Sequence, residues 1–233
     1  MAENLLRKVT IALATTLTLA AASTTVANAA PAPVHAGTPI TVGSASCTLG
    51  AVLNDTVAIT ALHCFNNLHP VVRSKNDGRI IGWFTHGDKE KDVAFIRLNP
   101  TTAHIVDKVS VTKLEAGAPV WKQGYKSGKT TGVVEGFADV SANGRLLYVI
   151  PMVEQRPHMV KAAMCALPGD SGGPVYSGDS VVGIVSAGTS GENRDVCSPG
   201  LVTYFTPMWR ILESSPRLKA GDSARRLVKA KNV

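Results

Sequence analysis

The sequence of 233 residues has no internal repeat, little helical periodicity and, after residue 29, no long apolar run. The missing repeats exclude solenoids and propellers. Scarce helical periodicity favours an all-β fold. A membrane-spanning helix needs about 20 consecutive apolar residues, so we expect no stable membrane insertion of the part that follows residue 29.

Cysteine is scarce as well. The chain has 4 cysteines and no Cys-x-x-Cys pair, which argues against a zinc site, and we expect neither a metal nor another cofactor. In an oxidising compartment an even number of cysteines predicts disulfides, and four allow three pairings. Four reduced thiols are the alternative.

The first 29 residues have the pattern of a signal peptide. Arg7 and Lys8 precede the largely apolar stretch Val9–Ala22, and Ala27-Asn28-Ala29 supplies the small residues that signal peptidase recognises. We therefore predict cleavage after Ala29 and a secreted, soluble protein. An uncleaved anchor is the alternative, although the apolar stretch is short for a membrane span.

Basic residues outnumber acidic ones, 24 to 17, and much of the excess lies in residues 216–233. This basic tail contains Arg217, Lys219, Arg225, Arg226, Lys229 and Lys231, with Asp222 as its one acid. Such a run is usually solvated, and contact with acidic cell-surface polymers or anionic lipid is its alternative role. Aromatic residues are few, and none is interleaved with these charges, so nucleic acid is not an expected partner.

Short β-branched or alternating runs, separated by turn signals, predict many short strands and hence an all-β barrel or sandwich. The predicted strands are 56–60, 80–85, 93–98, 109–111, 119–122, 131–140, 146–153, 173–176, 181–186 and 201–205. Asn143-Gly144 predicts a hairpin turn. Pro207 stands at the first position of a predicted short helix that ends at Leu212.

Three motifs carry chemistry. The run Gly169-Asp170-Ser171-Gly172-Gly173-Pro174 presents a serine between glycines, Ile59–Cys64 contains His63, and Asp92 opens the apolar run Asp92–Leu98. A serine hydroxyl is a poor nucleophile at neutral pH and needs a base and fixed N–H donors for the oxyanion. A glycine-rich turn with an incidental serine is the alternative.

In its order of His, Asp and Ser, each within its own motif, the chain resembles the chymotrypsin-like serine peptidases, and most of all their compact secreted bacterial branch that includes the streptogrisins. The resemblance covers roughly Ser46 to Thr206. Subtilisins and α/β-hydrolases use other orders. The Gly-x-Ser-x-Gly pattern around Ser171 also fits an α/β-hydrolase elbow, but alternating long helices are missing.

This resemblance implies two six-stranded Greek-key β-barrels with the active site between them and a short C-terminal helix. The first barrel is expected in residues 41–115, and the second barrel with the helix in 116–215. Residues 30–40 are then a short proline-rich mature N-terminus or a propeptide.

The family mechanism implies a nucleophile at Ser171, a general base at His63 and an orienting carboxylate at Asp92. The N–H groups of Gly169 and Ser171 would form the oxyanion hole. The resemblance also selects the disulfides, as Cys47–Cys64 and Cys165–Cys197.

Asp170 is expected to point inward, and a buried carboxylate requires a partner. The stretch that contains Lys122 resembles the streptogrisin segment whose arginine neutralises this aspartate, so Lys122 is the candidate. A new N-terminus at Ile40, released by cleavage, is the alternative that we favour less.

The resemblance assigns the substrate-binding residues as Ala163, Ser186, Ala187, Gly188 and Gly200. An open pocket without an acid at its base predicts an apolar side chain before the scissile bond. If Glu192 or Asp195 reaches the pocket rim, basic residues become plausible.

We therefore expect a monomeric, secreted serine endopeptidase that acts on proteins or peptides through an acyl-enzyme. The alternatives are a catalytically silent binding protein on the same fold and a serine esterase. One departure from the family pattern is Leu62, where relatives usually have a small residue.

Overall fold

The computed structural model describes residues 30–65, 69–146, 150–189, 191 and 193–213, with the side chains of 141–157 excepted. The predicted signal peptide, the basic tail and Glu192 lie outside the described residues. From Pro31 onwards the described chain belongs to one compact unit.

The first half of this unit is a seven-stranded antiparallel sheet in the order β2-β1-β5-β6-β7-β4-β3. Its strands are β1 Pro39–Val42, β2 Ala45–Thr48, β3 Ala51–Asn54, β4 Val57–Ala61, β5 Val71–Ser74, β6 Ile80–Asp88 and β7 Val93–Leu98. The sheet encloses a core that includes Ile40, Leu49, Val52, Ile81 and Ile96. It has one strand more than expected, because residues 39–54 form three short strands.

The second half is a closed six-stranded barrel in the order β10-β13-β12-β11-β8-β9. Its strands are β8 Pro119–Gly124, β9 Gly128–Leu146, β10 Ile150–Ala163, β11 Pro174–Ser177, β12 Ser180–Gly188 and β13 Thr203–Pro207. Helix α1, Met208–Glu213, follows directly after Pro207. The expected all-β fold with two barrel-like sheets and a short C-terminal helix is confirmed.

Two local predictions were wrong. Asn143 and Gly144 lie inside β9, where they pair with Val153 and Met152. The turn preference of two residues is local, and the register of a long antiparallel pair outweighs it. The predicted strand 109–111 is reduced to an isolated bridge between Val109 and Val181.

An apolar cluster joins the two sheets. Ile59, Val93 and Phe95 from the first sheet pack with Ile184 of β12 and Ile211 of α1. This contact places the ends of β4 and β7 beside the second barrel. Among the described residues, no helix is long and apolar enough to cross a bilayer.

Candidate active site

His63 lies in a 3-10 turn, Leu62–Phe65, that follows β4 directly. Its ring atom Nδ1 is 2.8 Å from Oδ2 of Asp92, and its main-chain N–H donates to Oδ1 of the same carboxylate at 2.9 Å. The side chain of His63 is 26% exposed, whereas that of Asp92 is 1% exposed. The imidazole is therefore fixed from its buried side and open to a ligand on the other.

Asp92 stands immediately before β7 and has a positive φ of 49°. Its Oδ2 also accepts a hydrogen bond of 2.6 Å from the hydroxyl of Ser186 in β12. Ser186 is 4% exposed, so this side chain, predicted only as part of the substrate site, supports the carboxylate. A single hydroxyl in the apolar run Val181–Ala187 is the sequence signal that could have indicated such a role.

Ser171 lies in the loop between β10 and β11. Its carbonyl oxygen accepts the N–H of Thr48 at 2.9 Å and lies 3.9 Å from Sγ of Cys64, the residue that follows His63. Between these described residues, no hydrogen bond joins the Ser171 hydroxyl to the His63 ring. Such bonds are often long in unliganded enzymes and shorten when substrate binds.

The N–H groups of Gly169 and Ser171 flank Asp170. Within the described part of the chain, neither N–H donates to another protein group, whereas the N–H of Asp170 donates to Leu167 at 2.9 Å. Gly169 has a φ of 110°, a backbone conformation that residues other than glycine rarely adopt. Two adjacent unpaired donors of this kind can hold an oxyanion.

Asp170 and Lys122 are both fully buried. The ammonium of Lys122 lies 2.8 Å from Oδ2 of Asp170. The other donors to this carboxylate are the hydroxyl and N–H of Ser127 and the N–H groups of Lys126 and Leu167. Burial raises the pKa of Asp170, but Lys122 and the hydrogen bonds outweigh it and hold the pKa below its usual value. Ser127 also accepts a hydrogen bond from Lys122; no sequence motif indicated this residue.

The alternative partner for Asp170, a new N-terminus at Ile40, does not fit the structure. Ile40 is fully buried in β1 and pairs with Cys47 on one side and Ser74 on the other.

The predicted substrate-binding residues are only partly brought together. The atoms nearest to a Cβ built on Gly188 belong to Ala166 and Val202. Ala163 instead ends β10, where it is exposed and pairs with Val133. Ala166, which the sequence did not indicate, therefore flanks Gly188.

Of the remaining predicted substrate-binding residues, Ala187 is half-buried and Gly200 is exposed. Asp195, the acid considered for the pocket rim, is bound by the ammonium of Lys126 at 2.9 Å.

Both disulfides are formed in the pairing that the resemblance selects. Cys47–Cys64 ties β2 to the turn that carries His63. Cys165–Cys197 ties the segment before Ser171 to the loop that contains Asp195. Each disulfide therefore fixes one side of the site.

A cavity of about 500 Å³ lies away from this site, and its walls include His35, Arg79, Trp121, Gln123 and Tyr176. Trp121 and Tyr176 stack there with ring centroids 3.9 Å apart. No predicted catalytic residue lines this cavity.

Comparison with known proteins gives the same assignment as the motifs. The trypsin family model matches residues 23–211. Streptogrisin-D of Streptomyces griseus is 28% identical over 194 residues, which cover 76% of this chain and 45% of streptogrisin-D. Streptogrisin-A of the same organism is 25% identical over 205 residues, which cover 78% of this chain and 59% of streptogrisin-A. The chain thus spans about half the length of these curated relatives.

Among solved structures, Cellulomonas bogoriensis chymotrypsin is 26% identical to this chain. It superposes with a TM-score of 0.61, and the match covers 78% of this chain and 95% of that one. The family model alone spans well over half of the residues, and so the chain belongs to the trypsin family.

Proposed function

We propose that the protein is a secreted serine endopeptidase with Ser171 as nucleophile, His63 as general base and Asp92 as the group that orients His63. The observation that carries this proposal is the hydrogen-bonded set of His63, Asp92 and Ser186 beside a glycine-rich serine loop. In that loop the N–H groups of Gly169 and Ser171 have no protein partner among the described residues. A silent binding protein would not need this set.

In the proposed reaction, Oγ of Ser171 bonds to the carbonyl carbon of the scissile peptide while its proton passes to Nε2 of His63. The N–H groups of Gly169 and Ser171 hold the oxyanion. The C–N bond then breaks, and the leaving amine takes the proton from His63. Water then attacks the carbonyl carbon of the acyl-enzyme while His63 takes a proton from it. The bond from that carbon to Oγ breaks, and Oγ takes the proton from His63, which releases the acid and regenerates Ser171.

Asp92 is proposed to act through His63. Its bond to Nδ1 keeps that nitrogen protonated, so that Nε2 faces Ser171 as the free base. Its negative charge stabilises the imidazolium that forms after proton transfer. The 1% exposure of Asp92 strengthens both effects, because water does not screen the pair.

The pocket beside Gly188 is proposed to take an apolar side chain before the scissile bond. The methyl group of Ala166, 3.5 Å from the position of a Cβ on Gly188, supplies a small apolar surface beside the carbonyl oxygens of Ala166 and Val202, and Asp195 is already paired with Lys126. A basic substrate side chain would therefore find no unpaired Asp195 carboxylate to bind.

The test uses the protein secreted by a host and purified from the medium. We expect its N-terminus at Ala30, covalent labelling by a fluorophosphonate, and cleavage of a mixed peptide library after apolar residues. Ser171→Ala should abolish labelling and cleavage. Labelling without peptide cleavage would indicate an esterase, and no labelling of the folded protein would reject the catalytic proposal.

A further inference from the structure

The serine loop has two distinct sides. Gly188 and Ala166 lie on the side proposed for the residues before the scissile bond. On the other side, Thr48 donates its N–H to Ser171 and its hydroxyl, at 2.9 Å, to the carbonyl of Gly169. Because the residues before the scissile bond are proposed to occupy the side of Gly188, the residues after it would occupy this second side.

Tyr125 forms the outer wall of that side. Its N–H donates to the hydroxyl of Thr48 at 3.0 Å, and its ring atom Cδ1 lies 3.3 Å from the position of a Cβ on Gly169. Tyr125 is 41% exposed. An aromatic face thus stands next to the proposed oxyanion donor, open to a bound peptide.

Lys75 places a positive charge over this face. Its Nζ lies 5.1 Å from the centroid of the Tyr125 ring and donates to the hydroxyl of Ser46 at 3.1 Å. Ser46 precedes Cys47, which is bonded to Cys64 next to His63. The cation is therefore connected to both the oxyanion loop and the histidine turn.

The charge of Lys75 is not compensated. In the part of the chain that the structure describes, no carboxylate lies within ion-pair distance of its Nζ, and its side-chain partners are an uncharged hydroxyl and a ring. Lys126, which is also beside Gly169, is paired with Asp195. Lys75 is thus the cation on this side that remains available to a ligand.

We propose that Ser46, Lys75 and Tyr125 form a leaving-group subsite for a carboxylate side chain in the first two residues after the scissile bond. This inference rests on the proposed peptidase function and names part of its substrate class. The ammonium attracts the carboxylate, the Ser46 hydroxyl can donate to it, and the Tyr125 ring holds Lys75 in place.

The experiment compares peptides that share the residues before the scissile bond and carry Glu, Gln or Lys at the two positions after it. Because exposed charge pairs are weak, we expect kcat/KM for Glu to exceed that for Gln by about two- to fivefold in low salt. The preference should decline as sodium chloride is added. Lys75→Met should remove the preference, so that kcat/KM for the Glu peptide falls to the value for the Gln peptide in the same variant.

Lys113→Met is the matched control. It removes the same charge from a similar contact, 4.7 Å from the ring centroid of Trp209 in α1, and should keep the preference. Equal kcat/KM for the Glu and Gln peptides, or a preference that survives in Lys75→Met, would overturn the subsite. Because the peptides are still cleaved in either case, the proposed peptidase function would stand. Failure to cleave any peptide would overturn both.

Discussion

At the scale of single residues, the carboxylate of Asp92 connects the two sheets. It accepts hydrogen bonds from His63, in the turn that follows β4 of the first sheet, and from Ser186 of β12 in the second barrel. A hydrogen bond to a charged group is worth about 1.5–3 kcal/mol. The orientation of the imidazole thus depends, through Asp92, on Ser186, which is 94 positions from Asp92 in the sequence.

Replacing Ser186 by Ala removes one donor to Asp92, so the imidazolium formed in the transition state should be less well supported. We expect kcat to fall by about tenfold, the equivalent of about 1.4 kcal/mol, with little change in KM. Steady-state kinetics on one peptide checks this. Ser180→Ala is the control, because Ser180 lies on the same strand and its hydroxyl bonds only to the surface residue Asp179 among the described residues. Equal losses in both variants would contradict the role.

The pair of Lys122 and Asp170 contributes to the pH dependence of stability. Because the pKa of Asp170 is lowered in the folded state, its contribution is present above the usual value of 3.8 and is lost as pH falls through the lower folded pKa. In Lys122→Met the carboxylate stays buried without its cation, so burial should raise its pKa. The variant should then lose stability as pH rises towards neutrality, whereas the contribution of Asp170 in the unmodified protein increases as pH rises.

We expect Lys122→Met to lower the free energy of unfolding at pH 7 by about 3–5 kcal/mol, and by less at pH 4. Urea unfolding at the two values measures the difference. Lys129→Met, which removes an exposed lysine from neighbouring β9, should show no such dependence. An equal loss of unfolding free energy at both pH values would show that the pKa of Asp170 does not depend on Lys122.

At the scale of elements, the turn that carries His63 is matched to β6. A Cβ on Gly87 of β6 would overlap Cδ1 of Leu62, the residue before His63. Leu62 also packs against the core of the first sheet and donates its N–H to the carbonyl of Asp92 at 3.0 Å. The large residue at position 62 is therefore accommodated by the missing side chain at position 87.

Gly87→Ala should displace Leu62 and with it the turn, because a packed side chain yields only at a cost of about 1–3 kcal/mol. We expect a lower kcat from the displaced His63. Leu62→Ala alone should have a smaller effect on kcat, and the double variant Gly87→Ala with Leu62→Ala should recover most of the lost rate. An additive loss in the double variant would show that the two positions do not interact.

The strands and motifs were predictable where their signals are local. The predicted strand 93–98 coincides with β7, and the predicted strand 119–122 lies within β8. The partner of Leu62 was not predictable, because it depends on the register of β6 against β7. The same holds for Ser186, whose contact with Asp92 forms only when the two sheets pack together.

At the scale of the whole molecule, residues 34–38 contact both the first sheet and residues 103–107, which lie in the segment that leads from β7 to β8. Val34 is fully buried, accepts a hydrogen bond from Ile105 and donates one to Ala103. Oδ2 of Asp107 accepts the N–H groups of Ala36 and Val52 at 2.8 and 2.7 Å. Burial raises the pKa of Asp107, although these two N–H groups oppose it. This segment therefore has the contacts of a permanent part of the fold.

Removing this segment tests whether residues 30–40 are a propeptide or part of the mature enzyme. A chain that begins at Thr38 loses the burial of Val34, worth about 1.5–3 kcal/mol, and the hydrogen bonds of Val34 and Ala36. Burial and the three hydrogen bonds together contribute at least about 3 kcal/mol, so we expect the Tm to fall by at least about 6 °C, given about 2–4 °C per kcal/mol for a domain of this size. A chain that begins at Pro33 retains these contacts and should unfold close to the Tm of one that begins at Ala30. If the chain that begins at Thr38 were equally stable and active, the segment would be dispensable, as a propeptide requires.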